Sequence, residues 1–161
     1  MRISRSVLPP ISALPGAARW RGMRIGLLGG SFNPAHAAHR HISLEALRRL
    51  DLDEVWWLVS PGNPLKSRTD MASFDKRLAH ATKMARHPRI RVMDLERRLG
   101  TRYSADTLAA LKILLPQTRL VWLMGADNLA TFHRWRDWES IFNAMPVAIF
   151  DRPHYFRRAL S

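Results

Sequence analysis

The chain has 161 residues, 47% apolar and 24% charged, the balance of a globular domain with its own core. It has no cysteine, which excludes disulfides, thiolate metal sites and cysteine nucleophiles and fits a reducing compartment. The net charge of +13 is most simply a solvated basic surface; its arginines are scattered rather than gathered in an aromatic-interleaved stripe, which argues against specific nucleic-acid binding.

Residues 1–22 carry four arginines, three prolines and three serines, and the first acidic residue of the whole chain is Glu45. This composition reads as a basic, disordered leader, lacking the apolar core of a secretory signal. Residues 23–161 are then expected to form one α/β domain. Met23 to Leu28 is a short apolar run ending at Gly29-Gly30, a buried parallel strand. His36 to Leu50 carries apolar residues near helical spacing, and Val55 to Val59 is a second strand. Ser60 to Asp70 reads as a loop. Ser73 to Arg86 follows as a helix with Ser73 as N-cap. Ile90 to Met93, Arg119 to Met124 and Val147 to Phe150 supply three more strands. Ala105 to Leu115 and most of Asp127 to Phe142 are expected to be helical. Strands alternating with helices imply a parallel α/β sheet, whose ligands sit at the carboxyl ends of the strands. No apolar run is long enough to span a bilayer, so no membrane partner is expected and a cytoplasmic location is.

The chemistry concentrates in Gly29-Gly30-Ser31-Phe32-Asn33-Pro34-Ala35-His36-Ala37-Ala38-His39. Two glycines after a strand allow a sharp turn and close approach to a ligand. Asn33 followed by Pro34 predicts a helix start, with Asn33 as N-cap and Pro34 at the first helical position. Such an N-terminus attracts anions. His36 and His39, three residues apart, share a helix face and can address one phosphate. The dinucleotide-binding G-x-G-x-x-G and the Walker-type loop are both absent. A zinc site from His36, His39 and His41 is disfavoured, because His41 lies off that face and no carboxylate precedes Glu45; no metal ligands are expected. A bare helix start with two surface histidines remains the alternative on spacing alone.

The segment is similar to the G-G-x-F-x-P-x-H-x-G-H signature of the adenylyltransferase-type nucleotidylyltransferases, with Ala38 in place of the glycine between the two histidines. Further elements resemble the bacterial nicotinate-nucleotide adenylyltransferases. Asn63-Pro64-Leu65-Lys66 looks like their phosphate-side loop, and Tyr103-Ser104-Ala105-Asp106-Thr107-Leu108 like their S-Y-T-x-x-T-L element. Gly125-Ala126-Asp127-Asn128-Leu129 with Phe132, Trp135, Trp138 and Ile141 matches their G-x-D-x-L-x-x-F-x-x-W-x-x-W-x-x-I element, and Arg152-Pro153 their R-P. The resemblance runs from Met23 to Tyr155. It implies a Rossmann-like parallel sheet of about five strands with helices on both faces.

The resemblance also implies roles. Gly29, Gly30, Ser31, Phe32, His36 and His39 would contact ATP phosphates, with His36 and His39 catalytic and Lys66 assisting. Gly125 and Asp127 would hold the adenosine side. Ser104 and Ala105 would bind the pyridine carboxylate with backbone at Trp135 and Arg136. Trp135 would stack on the pyridine ring, and Arg152 would lie near the mononucleotide phosphate. The implied partners are ATP, carrying Mg²⁺, and nicotinate mononucleotide, with nicotinamide mononucleotide the weaker substrate. Bland readings stand beside these: Trp138 and Ile141 as core, Ser104 as a helix cap, Asp127 as a cap of its own helix. The family usually continues into an I-S-S-T-x-x-R element, which has no match before Ser161. A truncated or degenerate nucleotide-binding protein without turnover is therefore the competing expectation. Pantetheine-phosphate adenylyltransferase shares the first motif, but the Gly125-to-Ile141 element argues against it.

Overall fold

A computed structural model describes residues 14–62 and 70–151. Five strands, β1 (Arg24–Gly30), β2 (Glu54–Val59), β3 (Ile90–Met93), β4 (Arg119–Gly125) and β5 (Val147–Phe150), form one sheet in the order β3-β2-β1-β4-β5. All four neighbouring pairs are parallel. The helices are α1 (Ala37–Arg49), α2 (Phe74–Ala85), α3 (Leu95–Leu99), α4 (Ser104–Leu114), α5 (Leu129–Phe132) and α6 (Trp138–Ala144). None is long and apolar enough to cross a membrane.

Alternation along β2 separates two cores. Trp56 and Leu58 pack on one face with Ile25, Leu27, Trp122, Leu108 and Leu111 of α4 and Ile141 of α6. Val55, Trp57 and Val59 pack on the other with Ala46 and Leu47 of α1 and Ala81 and Ala85 of α2. A strand buried on both faces reads as a continuous apolar run, as VWWLV does. The Rossmann-like parallel sheet with helices on both faces is thus present.

Two sequence expectations are corrected. Leu14 to Gly22, read with the leader, belong to the packed domain. Leu14 and Trp20 are buried, and Trp20 meets the Trp56 ring edge-on at 4.9 Å. Gly22 N–H donates to Gln117 O, and the Thr118 hydroxyl donates to Trp20 O. The arginines of this stretch masked its apolar residues. The leader's residues 1–13 lie outside the described residues. Asp127 to Phe142 is mostly helical, as read, but in pieces: a 3-10 turn (Ala126–Asn128) leads into α5, and α6 begins only after Asp137, whose φ of 53° interrupts the helical path. The second correction falls at the functional loop.

Candidate active site

The strand order reverses between β1 and β4, and a parallel α/β sheet opens a crevice at such a point beyond the strand ends. Leu28 of β1 pairs with Leu123 of β4. Two residues further along each strand stand Gly30 and Gly125. The topology therefore brings together two loops that lie far apart in the sequence.

Gly29 ends up short of a side chain for a packing reason. A Cβ there would lie 2.4 Å from Cη2 of the buried Trp122. After Gly30 the chain turns through Ser31 and Phe32, both buried. Phe32 adopts φ 48°, in the left-handed region that non-glycine residues rarely occupy. Its ring stacks on Trp57 at 5.1 Å and meets the His39 ring, tilted, at 4.5 Å, contacts that hold this turn.

The helix does not start at Asn33. The Asn33–Pro34 bond is cis, and the Asn33 side chain is used elsewhere: Oδ1 accepts from Ala72 N–H and Nδ2 donates to Asp70 O, each at 3.1 Å. Ala35 is then buried in the core. The two Asn33 side-chain bonds and the burial of Ala35 delay α1 to Ala37, with His36 as its extended N-cap residue. The consequence is close apposition of the histidines. Their rings stack with centroids 3.9 Å apart, and His39 Nδ1 accepts the His36 backbone N–H at 3.1 Å. Ser43, one turn on, donates to His39 O and accepts from Trp57 Nε1, tying the first turn of α1 to β2. Neither Trp57 nor Ser43 was singled out by sequence. The four-residue step from His39 to Ser43 was the available signal.

On the β4 side, Gly125 is buried and Asp127 exposed. Asp127 lies inside the 3-10 turn rather than at its cap. The third element converges through Tyr103. Tyr103, not Ser104, is the N-cap residue of α4, and Ser104 is its first helical residue. The Arg136 guanidinium lies over the Tyr103 ring at 4.8 Å, which joins the Ser104–Ala105 turn to the Trp135–Arg136 segment. Ala105 is buried, so only its backbone is open to a ligand. Trp135 is half-buried against Phe132 at 5.1 Å and Trp122 at 6.3 Å. Ile141 is core, as its spacing suggested, and Trp138 packs against that core. Lys66, with Asn63 to Leu65, and Arg152, with Pro153, lie outside the described residues.

Two buried ionisable groups lie beside these loops, and neither was read from the sequence. Arg77 of α2 donates to the carbonyls of Ser31, Ser60, Pro61 and Ala72. Glu96 of α3 is buried with Oε2 unpartnered. Its burial raises the carboxyl to about 7, against a hydrogen bond from Ser60 that lowers it. Among the described residues no three of His, Asp and Glu converge as metal ligands.

Residues 27–160 match the family described as cytidylyltransferase-like. A "probable nicotinate-nucleotide adenylyltransferase" of Parvibaculum lavamentivorans is 59% identical over 138 residues, which is 86% of this chain and 69% of the relative. One of Cereibacter sphaeroides is 61% identical over 131 residues, 81% of this chain and 70% of the relative. The fold is similar to that of the Plasmodium falciparum nicotinic acid mononucleotide adenylyltransferase complexed with NaAD. That likeness has a TM-score of 0.66 at 20% identity, covering 81% of this chain and 76% of that one.

Proposed function

The chain belongs to the nicotinate-nucleotide adenylyltransferase family of nucleotidyltransferases, and from that premise we propose that it joins ATP to nicotinate mononucleotide, a step of NAD biosynthesis. The observation that carries this reading is the stacked His36–His39 pair beside the Gly29–Phe32 turn, at the point where strand order reverses.

A phosphate oxygen of nicotinate mononucleotide attacks the α-phosphorus of ATP. The bond from that phosphorus to the β-phosphate bridging oxygen breaks, and pyrophosphate leaves with the bond's electron pair. Nicotinate adenine dinucleotide is formed. The attacking oxygen is already ionised, so no general base is required, and the protein's work is alignment and charge stabilisation. With His39 Nδ1 accepting a backbone N–H, the ring proton belongs on Nε2, a donor suited to a phosphate oxygen. Gly29 to Phe32 would supply backbone to the same phosphates. Gly125 and Asp127 would hold the adenosine, and Lys66 and Arg152 would add positive charge. Mg²⁺ would enter as Mg-ATP.

For the acceptor, the Ser104 hydroxyl and the backbone at Ala105, Trp135 and Arg136 would address the pyridine carboxylate, with the Trp135 ring beside it. The test is pyrophosphate release from this chain with Mg-ATP and either nicotinate or nicotinamide mononucleotide. Release that strongly prefers the nicotinate form is expected. ATP binding with no release would instead make the chain a nucleotide-binding relative without turnover.

A further inference from the structure

Arg77 is a buried cation with an unusual set of partners. It is the fourth residue of α2 and 3% exposed. Among the described residues no carboxylate pairs with it. Its guanidinium is satisfied by carbonyls alone: Nη1 donates to Ser31 O and Ser60 O at 2.7 Å each, Nη2 to Pro61 O at 2.9 Å, and Nε to Ala72 O at 3.0 Å. Burying a charge is costly unless such bonds offset it. Burial accordingly pushes the guanidinium below its ordinary range. Only arginine has a rigid fork with enough donors to span these acceptors.

The acceptors lie in the loop after β1, the loop after β2, and the residue two before α2. A trans peptide points its C=O and the next residue's N–H in opposite directions, and the Ser31–Phe32 and Pro61–Gly62 peptides are both trans. Holding Ser31 O therefore fixes the Phe32 N–H facing away from Arg77, and holding Pro61 O does the same for Gly62 N–H. The first clamp also falls on the residue preceding the left-handed Phe32, whose ring packs, tilted, against His39.

We propose that Arg77 is a positioning residue for adenylyl transfer: it locks the loops after β1 and β2 to one another and presents the Phe32 and Gly62 N–H groups to the nucleotide phosphates. This rests on the reading of the site as an ATP site. Arg77 itself touches neither substrate nor the reacting atoms.

The test compares the full chain with Arg77→Lys and Arg77→Gln. Each is checked for cooperative melting, assayed for pyrophosphate release, and titrated with Mg-ATP alone while the ¹⁵N amide signals of Phe32 and Gly62 are followed. In the unsubstituted chain both signals should move on adding Mg-ATP. In folded Arg77→Gln, kcat should fall at least about tenfold and KM for ATP should rise, while KM for nicotinate mononucleotide changes less than about threefold. Arg77→Lys should recover part of the loss, and both variants should show smaller Mg-ATP shifts at Phe32 and Gly62. Folded variants with unchanged kcat, ATP KM and amide shifts would overturn the proposal. So would loss of the fold in Arg77→Lys, which would assign the residue to stability alone. If the unsubstituted chain releases no pyrophosphate, the transfer reading fails by itself, and the amide titration still decides whether Arg77 sets the nucleotide-facing N–H groups.

Discussion

His36 and His39 stack face to face at 3.9 Å, and the backbone N–H of the first is captured by Nδ1 of the second. With Nδ1 engaged as an acceptor, Nε2 is the ring nitrogen of His39 left to donate to a phosphate oxygen. Loss of one preorganised donor to a developing charge costs about 10²–10³ in rate. His39→Ala is expected to lower kcat for pyrophosphate release by that order, with cooperative melting retained. Full activity in a folded His39→Ala would remove the histidine from the mechanism and leave the fold untouched.

Gly29 and Trp122 share one space. A methyl at Gly29 would sit 2.4 Å from Trp122 Cη2, and Trp122 is itself only 2% exposed. Overpacking of this kind costs about 1–3 kcal/mol. Gly29→Ala should lower the melting temperature. Trp122→Phe removes the clashing atom, so the double variant should be more stable than the sum of the single losses allows. Additive losses would show that Gly29 is not held small by Trp122.

The segment ahead of β1 contributes stability. Trp20 is 5% exposed and packs on Trp56, and truncating a buried tryptophan to alanine costs about 3–5 kcal/mol. Trp20→Ala, or a chain begun at Met23, should melt well below the parent in a thermal scan. A chain begun at Met23 with an unchanged melting temperature would return residues 14–22 to a dispensable leader.

Much of this architecture is legible in the sequence, for identifiable reasons. VWWLV and RLVWLM are apolar on both strand faces, so only buried parallel strands fit them, and their carboxyl ends point to Gly29–Ser31 and Gly125–Asp127. The histidine pair is legible as a spacing, though the two do not share a helix face: His36 is the extended N-cap residue and meets His39 three residues on. The helix start was not, because Asn33 could equally cap its own helix or, as found, bridge to Asp70 and Ala72. No sequence pattern distinguishes a local from a long-range asparagine. Arg77 and Glu96 were invisible for a related reason. One of many arginines and one of several acids become special only when tertiary packing encloses them, and their partners are backbone carbonyls or a hydroxyl that carry no sequence signal.

Glu96 gives the chain a pH dependence of defined sign. Burial raises its carboxyl from 4.5 to about 7 in the folded state, and among the described residues Oε2 has no partner. Ser60 has one hydroxyl proton for two acceptors, the Glu96 carboxyl and Gly62 O, so its support for an ionised carboxylate is divided. Below the unfolded-state value both states hold the proton and the group is neutral to stability. Between pH 4.5 and about 7 the folded state holds the proton that the unfolded chain releases, so this group's contribution falls as pH rises. Above the folded value the loss is complete, at up to about 3 kcal/mol. Glu96→Gln keeps the shape without the ionisation. The difference in unfolding free energy between Glu96→Gln and the parent, measured by urea titration, should therefore be more favourable to the variant at pH 8 than at pH 5. A difference independent of pH across that window would show that folding leaves the Glu96 carboxyl unshifted.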